Sequence, residues 1–240
     1  MHMLDIFNPI TIFNELKGLS KWGRWFAPIA SVLLIYLSVQ WGNPWWGILS
    51  AVAGVLCVVL VADRRRTNFF WGIINCSLYG LICYNNNLWG EMSLNWVVYL
   101  PFQIIGLYYW SKDTNDDDTV IAKSLTWVQR GGVVVVSLAG IYVGEQILLA
   151  KGGAHPILDS AIVVLSLMAT VLMAKRYSEQ WLCWIAVNLC AITLWTLRLQ
   201  AGSDDGIATL LMWVAFTFNS IYGAWVWHVA AKRGYHAAHL

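Results

Sequence analysis

The chain has 240 residues, of which 59% are hydrophobic and 12% charged, against about 45–50% and about 25% in an ordinary soluble domain. Fifteen basic and 13 acidic side chains leave a net charge of +2, and the mean hydropathy is +0.59. So few charges cannot cover so much apolar surface in water, which excludes a soluble enzyme, a secreted disulfide module and a nucleic-acid reader.

Residues 1–24 are expected to form a cytoplasmic interfacial segment, because Asp5, Asn8, Pro9 and Glu15 interrupt any signal-like apolar core. A helix crossing a bilayer needs about 20 mostly apolar residues. Eight such stretches follow, at 25–41, 44–62, 67–86, 88–110, 126–149, 157–174, 178–197 and 207–230. The sequence therefore predicts an all-α, polytopic membrane protein. Residues 113–118 form an acidic loop before the fifth stretch, and 232–240 form a tail. No GxxxxGK[ST] loop is present, so ATP does not drive transport within this polypeptide. Thirteen Lys and Arg fall in loops on one side and only Lys151 and Arg198 on the other, which places both termini in the cytoplasm. Trp22, Trp25, Trp41, Trp45, Trp46, Trp89, Trp110, Trp127, Trp225 and Trp227 lie near span ends, as an aromatic belt at the headgroups would. The five cysteines make no CxxC pair and join no His cluster, so they are read as small apolar fillers, with no metal or cofactor implied.

The two halves repeat. The segments 44–62 and 156–174 share length and an opening Pro, and basic turns follow both. Trp71-x-x-x-Asn75 then matches Trp184-x-x-x-Asn188. The closing spans, WVVYLPFQIIGLYYW from Trp96 and WVAFTFNSIYGAWVW from Trp213, share Trp96/Trp213, Gly106/Gly223 and Trp110/Trp227. Residues 44–110 and 156–231 thus read as two three-helix repeats. Three is an odd number, so the linker helix in 111–151 is needed to make the repeats parallel, and 25–41 is an extra N-terminal helix. This three-plus-one-plus-three pattern resembles the SWEET sugar transporters.

Amides inside spans are costly unless paired, so they gather in interiors or cavities. Asn75, Asn95, Gln103, Asn188 and Asn219 are such residues. Trp96, Tyr99, Gln103 and Gly106 share one helix face, as do Trp181, Trp184, Asn188 and Trp195, and Trp71, Asn75 and Tyr79. Trp213, Phe216, Ser220 and Gly223 form another, flanked by Asn219 and Tyr222. Amides can simply join helices, at about 0.6–2 kcal/mol each. For Asn75 and Asn95 that reading weighs as much as binding; for Gln103, Asn188 and Asn219 binding is preferred. Aromatic planes with amides suit a flat ring bearing hydroxyls and a carboxamide. No Asp, Glu, Lys or Arg occupies the centre of a span, which favours passive movement of an uncharged or weakly cationic solute. Asp159 is the one plausible proton relay, and a helix-start charge explains it better.

The run WLCWIAVN, Trp181-x-x-Trp184-x-x-x-Asn188, with the paired repeat and the Trp-rich closing spans, resembles the PnuC family over about 44–230. The family pattern continues with Tyr three residues after the Asn, where this sequence has Ala191. The resemblance implies a bacterial inner-membrane facilitator of nicotinamide riboside, with a cytoplasmic kinase trapping the product. Alternating access would come from rocking of the two repeats around a central site. On that basis Trp184, Trp213 and Trp96 would stack on the substrate, and Gln103, Asn188 and Asn219 would bind its carboxamide and hydroxyls. Tyr222 and Asn75 complete the candidate site. The implied partners are the riboside, the lipid bilayer, that kinase by function, and further copies of the chain in a homo-oligomer such as a trimer. A carrier of a sugar or another vitamin on the same fold, and a membrane protein that binds a small ligand without transporting it, are the alternatives.

Overall fold

The computed structural model describes residues 3–40, 42, 44–85, 87, 89–115, 119–201 and 206–237. Trp41, residues 116–118 of the acidic loop and residues 238–240 of the tail lie outside them. Among the described residues the chain is helical apart from turns and two isolated β-bridges. The helices are α1 (Pro9–Lys17), α2 (Lys21–Gln40), α3 (Trp45–Ala62), α4 (Asn68–Asn85), α5 (Trp89–Ser93), α6 (Leu100–Trp110), α7 (Trp127–Ala150), α8 (Pro156–Ala174), α9 (Gln180–Gln200) and α10 (Gly206–Ala237).

Six of them, α2, α3, α7, α8, α9 and the Leu210–Lys232 part of α10, are long and apolar enough to cross a bilayer. The other two expected spans are helical but less simple. Helix α4 carries Asn68, Asn75 and Asn85, which lower its hydropathy. Residues 89–110 form one continuous helical path, about 33 Å long at ~1.5 Å per residue, but Leu94–Tyr99 within it is π-helical. The wide turn immediately precedes Pro101, which lacks an N–H and whose ring would press on the carbonyl four residues back. Widening the helix there relieves both demands.

Two compact units divide the chain, one of residues 1–121 with 174–176 and one of 122–173 with 177–240. In the first, α4 is central and packs on α3, α5, the π-helical turn and α6, while α2 packs on α3. Leu19, Ala27, Val55, Val59 and Leu60 form a buried cluster between α2 and α3. The N-terminal segment is docked as well as amphipathic. Ile10 and Phe13 are exposed, but the buried Glu15 carboxylate accepts from the Thr67 N–H at 2.9 Å and its hydroxyl at 2.5 Å. That carboxylate therefore caps the start of α4. Asp63 accepts from the Ser20 N–H at 2.7 Å, pinning the start of α2 to the same turn.

In the second unit α9 packs along α10. Leu125, Ala169, Leu172 and Cys183 form a buried cluster against which Val133 and Trp184 rest, joining α7, α8 and α9. Gly140 and Gly144 of α7 face Val164 and Ser160 of α8 at close range. Thr126 begins α7 with a reciprocal cap from Gln129. Arg130 holds the buried Glu179 at 2.8 Å, and the Leu125 N–H donates to the same carboxylate at 3.1 Å.

Helices α3 and α8 end alike. Arg64 (φ 58°) and Arg176 (φ 68°) are both left-handed, and the next N–H in each reaches five residues back, Arg65 to Leu60 at 2.8 Å and Tyr177 to Leu172 at 2.9 Å. This closure usually employs Gly. The arginines here use their side chains: Arg64 Nη1 donates to the Val120 carbonyl at 2.9 Å, and Arg176 pairs with Asp113. One expectation about the tryptophans is corrected. Trp25, Trp45, Trp89, Trp127 and Trp225 are exposed as belt residues should be, but Trp110 and Trp227 are fully buried. They sit near span ends because they close the packing of their own units.

Candidate functional site

In the first unit the site residues line the seam between α4 and the 94–110 path. Phe69 lies on Gly106, where an added Cβ would meet its ring at 2.5 Å, and stacks edge-on against Trp110 with centroids 5.0 Å apart. One turn further along α4, Gly72 receives the Gln103 amide, whose oxygen would collide with a Cβ there. Gln103 Nε2 donates to Cys76 Sγ at 3.9 Å. Gly80 seats the Trp96 indole, whose Nε1 donates to the Ser77 carbonyl at 3.2 Å. Small residues at 72, 76 and 80, one helical turn apart, let two large side chains of the facing helix lie flat on α4.

The second unit repeats this seam with other side chains. Trp181 lies on Gly223, where a Cβ would be 2.5 Å from its ring, and meets Trp227 edge-on at 6.5 Å. Asn188 Nδ2 donates to Ser220 Oγ at 3.0 Å, both side chains buried. Trp213 is partly buried, meets Phe216 edge-on at 6.0 Å, and its Nε1 is buried without a hydrogen-bond partner among the described residues. Asn219 is 2% exposed and Tyr222 tilts over Trp225 at 6.2 Å. Trp184 is half-buried, against the cluster of Leu125, Ala169 and Leu172. Ala191, in the place where the resemblance expects Tyr, is fully buried.

These contacts sort the candidates. Asn188 and Gln103 are buried at the helix seam of their own units. Asn75 is not on that seam. Its Nδ2 donates to the Ser50 carbonyl at 2.9 Å and lies near Ser50 Oγ at 3.3 Å, so it joins α4 to α3. Asn95 Nδ2 donates to the Glu91 carbonyl at 2.9 Å within its own helix. The Trp96 indole is likewise committed to α4. The contacts also correct the pairing of Trp71/Asn75 with Trp184/Asn188. Phe69 corresponds to Trp181, as Arg64 does to Arg176, so Cys76 rather than Asn75 stands where the second unit has Asn188.

One participant escaped the sequence and one was on the expected stripe without a role. Cys76 is more than apolar filler, since its sulfur meets the Gln103 amide, and Ser220 is the direct partner of Asn188. The signal for Cys76 was the four-residue spacing of Gly72, Cys76 and Gly80, which marks a close helix contact. Among the described residues no group of three His, Cys, Asp or Glu could hold a metal ion.

Comparison with known proteins is consistent along the chain. A family model described as nicotinamide mononucleotide transporter matches residues 44–229. The nicotinamide riboside transporter PnuC of Neisseria mucosa is 39% identical over 236 residues, covering 92% of this chain and 90% of that protein. Its namesake from Haemophilus influenzae is 36% identical, covering 83% and 86%. A crystal structure of the vitamin B3 transporter PnuC matches with a TM-score of 0.78 at 35% identity, covering 94% of this chain and 99% of that one.

Proposed function

The chain belongs to the nicotinamide mononucleotide transporter family, and from that premise we propose that it carries nicotinamide riboside across the bilayer by facilitated diffusion. It is a multi-pass membrane transporter and not an enzyme. The family description and the names of the relatives differ by one phosphate, and the charges of this sequence favour the riboside. A phosphate monoester brings a charge of about −1.5 to −2 at neutral pH. No Lys or Arg lies at the centre of any span to meet it, and an unpaired ion out of water costs several kcal/mol. Each ~1.4 kcal/mol is a factor of ten in affinity. The riboside carries only a delocalised pyridinium charge, which the faces of Trp and Tyr accept.

The observation that carries this reading is the buried Asn188–Ser220 pair in the Trp181-x-x-Trp184-x-x-x-Asn188 stripe, in a chain 39% identical to a nicotinamide riboside transporter. Asn188, Trp184 and Trp213, with Asn219 and Tyr222 beside them and Gln103 in the first unit, are the proposed substrate contacts. Movement is uncoupled and proceeds by alternating access, since proton coupling normally uses a titratable group within the pathway. Phosphorylation by a cytoplasmic kinase would then trap the product, because the charge it adds bars return. The one-sided distribution of basic loops supports a bacterial inner-membrane location with both termini cytoplasmic.

Uptake of labelled nicotinamide riboside into liposomes carrying the purified chain, without ATP or an ion gradient, tests this. Uptake should stop at equal concentrations inside and out, and unlabelled riboside should compete while the mononucleotide does not. Uptake that required a proton or sodium gradient would overturn the passive mechanism, and strong competition by the mononucleotide would overturn the substrate.

A further inference from the structure

The Gln103 amide is held at both atoms in different ways. Its nitrogen donates to Cys76 Sγ at 3.9 Å. Its oxygen lies over Gly72 so closely that no Cβ could be added there without collision, and it is buried without a hydrogen-bond partner among the described residues. Gln103 as a whole is 6% exposed and Cys76 5%. An amide oxygen left unbonded away from water is costly. Here α4 offers the oxygen only the bare Cα of a glycine, a contact far weaker than a hydrogen bond. The thiol is a weak acceptor, and the nitrogen is the end of the amide that faces it. The corresponding place in the second unit is closed differently: Asn188 stands for Cys76, Ser220 for Gln103, and their bond is 3.0 Å.

We propose that Cys76 and Gly72 are positioning residues for Gln103, holding its amide so that the nitrogen is engaged and the oxygen is left to accept a hydrogen bond from an N–H or O–H of the transported riboside. This rests on the reading that the chain carries a riboside. The thiol acts only through the glutamine. Gly72 is required because any side chain would push the amide off α4.

Calorimetric binding of nicotinamide riboside to the purified full chain tests it with Cys76→Ala, Cys76→Ser, Gln103→Ala and the Cys76→Ala/Gln103→Ala double variant. Losing one neutral hydrogen bond is worth about a twofold to tenfold change in affinity. Cys76→Ala should weaken binding by that factor, and Cys76→Ser should recover most of it. In the Gln103→Ala background, Cys76→Ala should change affinity by less than about twofold, since the group it positions is gone. Gly72→Ala should weaken binding as much as Gln103→Ala. If that variant does not fold, the cysteine series decides alone. Equal loss from Cys76→Ala in both backgrounds, or no loss in either, overturns the proposal. So does wild-type affinity in Gln103→Ala. Failure of the unaltered chain to bind the riboside overturns the transport reading itself, and this proposal with it.

Discussion

Replacing Gly223 by Ala tests whether the α9–α10 seam is as close as its contacts state. An added Cβ would lie 2.5 Å from Trp181 Cζ2 and 2.6 Å from both Cε2 and Cη2. Carbon atoms settle at about 3.5–4.0 Å, so the indole or the helix must retreat by roughly 1 Å. The ring cannot rotate away easily, because Trp181 is 3% exposed and stands edge-on to the fully buried Trp227. Overpacking of this kind costs about 1–3 kcal/mol, which in a chain of this size lowers the thermal midpoint by roughly 2–12 °C. The same retreat would stretch the 3.0 Å Asn188–Ser220 bond, so riboside affinity should fall with stability. Gly131→Ala is the control: nothing lies within 4 Å of its Cβ, and a helical Gly→Ala exchange gains about 0.5–1 kcal/mol. Thermal melting of the purified protein, followed by calorimetry with the riboside, reads both effects. A Gly223→Ala protein that melts and binds like the unaltered chain, or one that melts like Gly131→Ala, would refute so close a seam.

Asn188→Ala should lower riboside affinity by about tenfold, the loss of two ordinary hydrogen bonds, and Ser220→Ala, which removes the 3.0 Å partner that holds the Asn188 amide, should lower it by a smaller factor together with the melting temperature; calorimetry and melting of the pair separate the roles. Trp96→Phe removes the 3.2 Å bond to the Ser77 carbonyl and should cost about 1 kcal/mol of stability with affinity changed less than twofold. Trp213→Phe removes a buried N–H that has no partner among the described residues, so melting should stay level or rise while affinity falls, and equal behaviour of the two variants in these assays would contradict the assignment. Glu15→Ala strips the cap from Thr67 and should destabilise the first unit by about 1–3 kcal/mol, read by melting and by faster proteolytic cleavage near α1.

Much of the fold was legible because lipid imposes so few solutions. Only a helix satisfies its own backbone in hydrocarbon, so apolar runs bounded by Pro, Gly and charge mark the spans directly, and α3, α7, α8 and α9 lie within a few residues of where those runs predict. Tertiary detail was less legible. Trp110 and Trp227 are near span ends in sequence, where a belt and a buried closure look alike, and only Phe69 and Trp181 facing them from the next helix decide between the two. Docking of Glu15 on Thr67 spans 52 residues and no local pattern announces it. The π-helical turn was visible only as Pro101, which reports that a helix must adjust and not how.

The candidate site turned on one residue of register. Matching Trp and Asn letters aligns Asn75 with Asn188, but successive helical residues are rotated by about 100°, and that step carries Asn75 from the seam to Ser50 of α3. Packing sets the alignment instead, through Phe69 on Gly106 and Trp181 on Gly223. In that register the two seams exchange size rather than conserve it. Gly72 and Gln103 of the first unit stand where the second has Trp184 and Ser220, and Cys76 stands where it has Asn188. Each seam thus has one amide donating to a small polar partner on the facing helix, Gln103 of α6 to Cys76 in the first unit and Asn188 of α9 to Ser220 in the second. Identity of letters would have demanded the same amide on the same helix twice. One polar contact across each seam demands only that the pair fit, which is the weaker condition and the one the two halves meet.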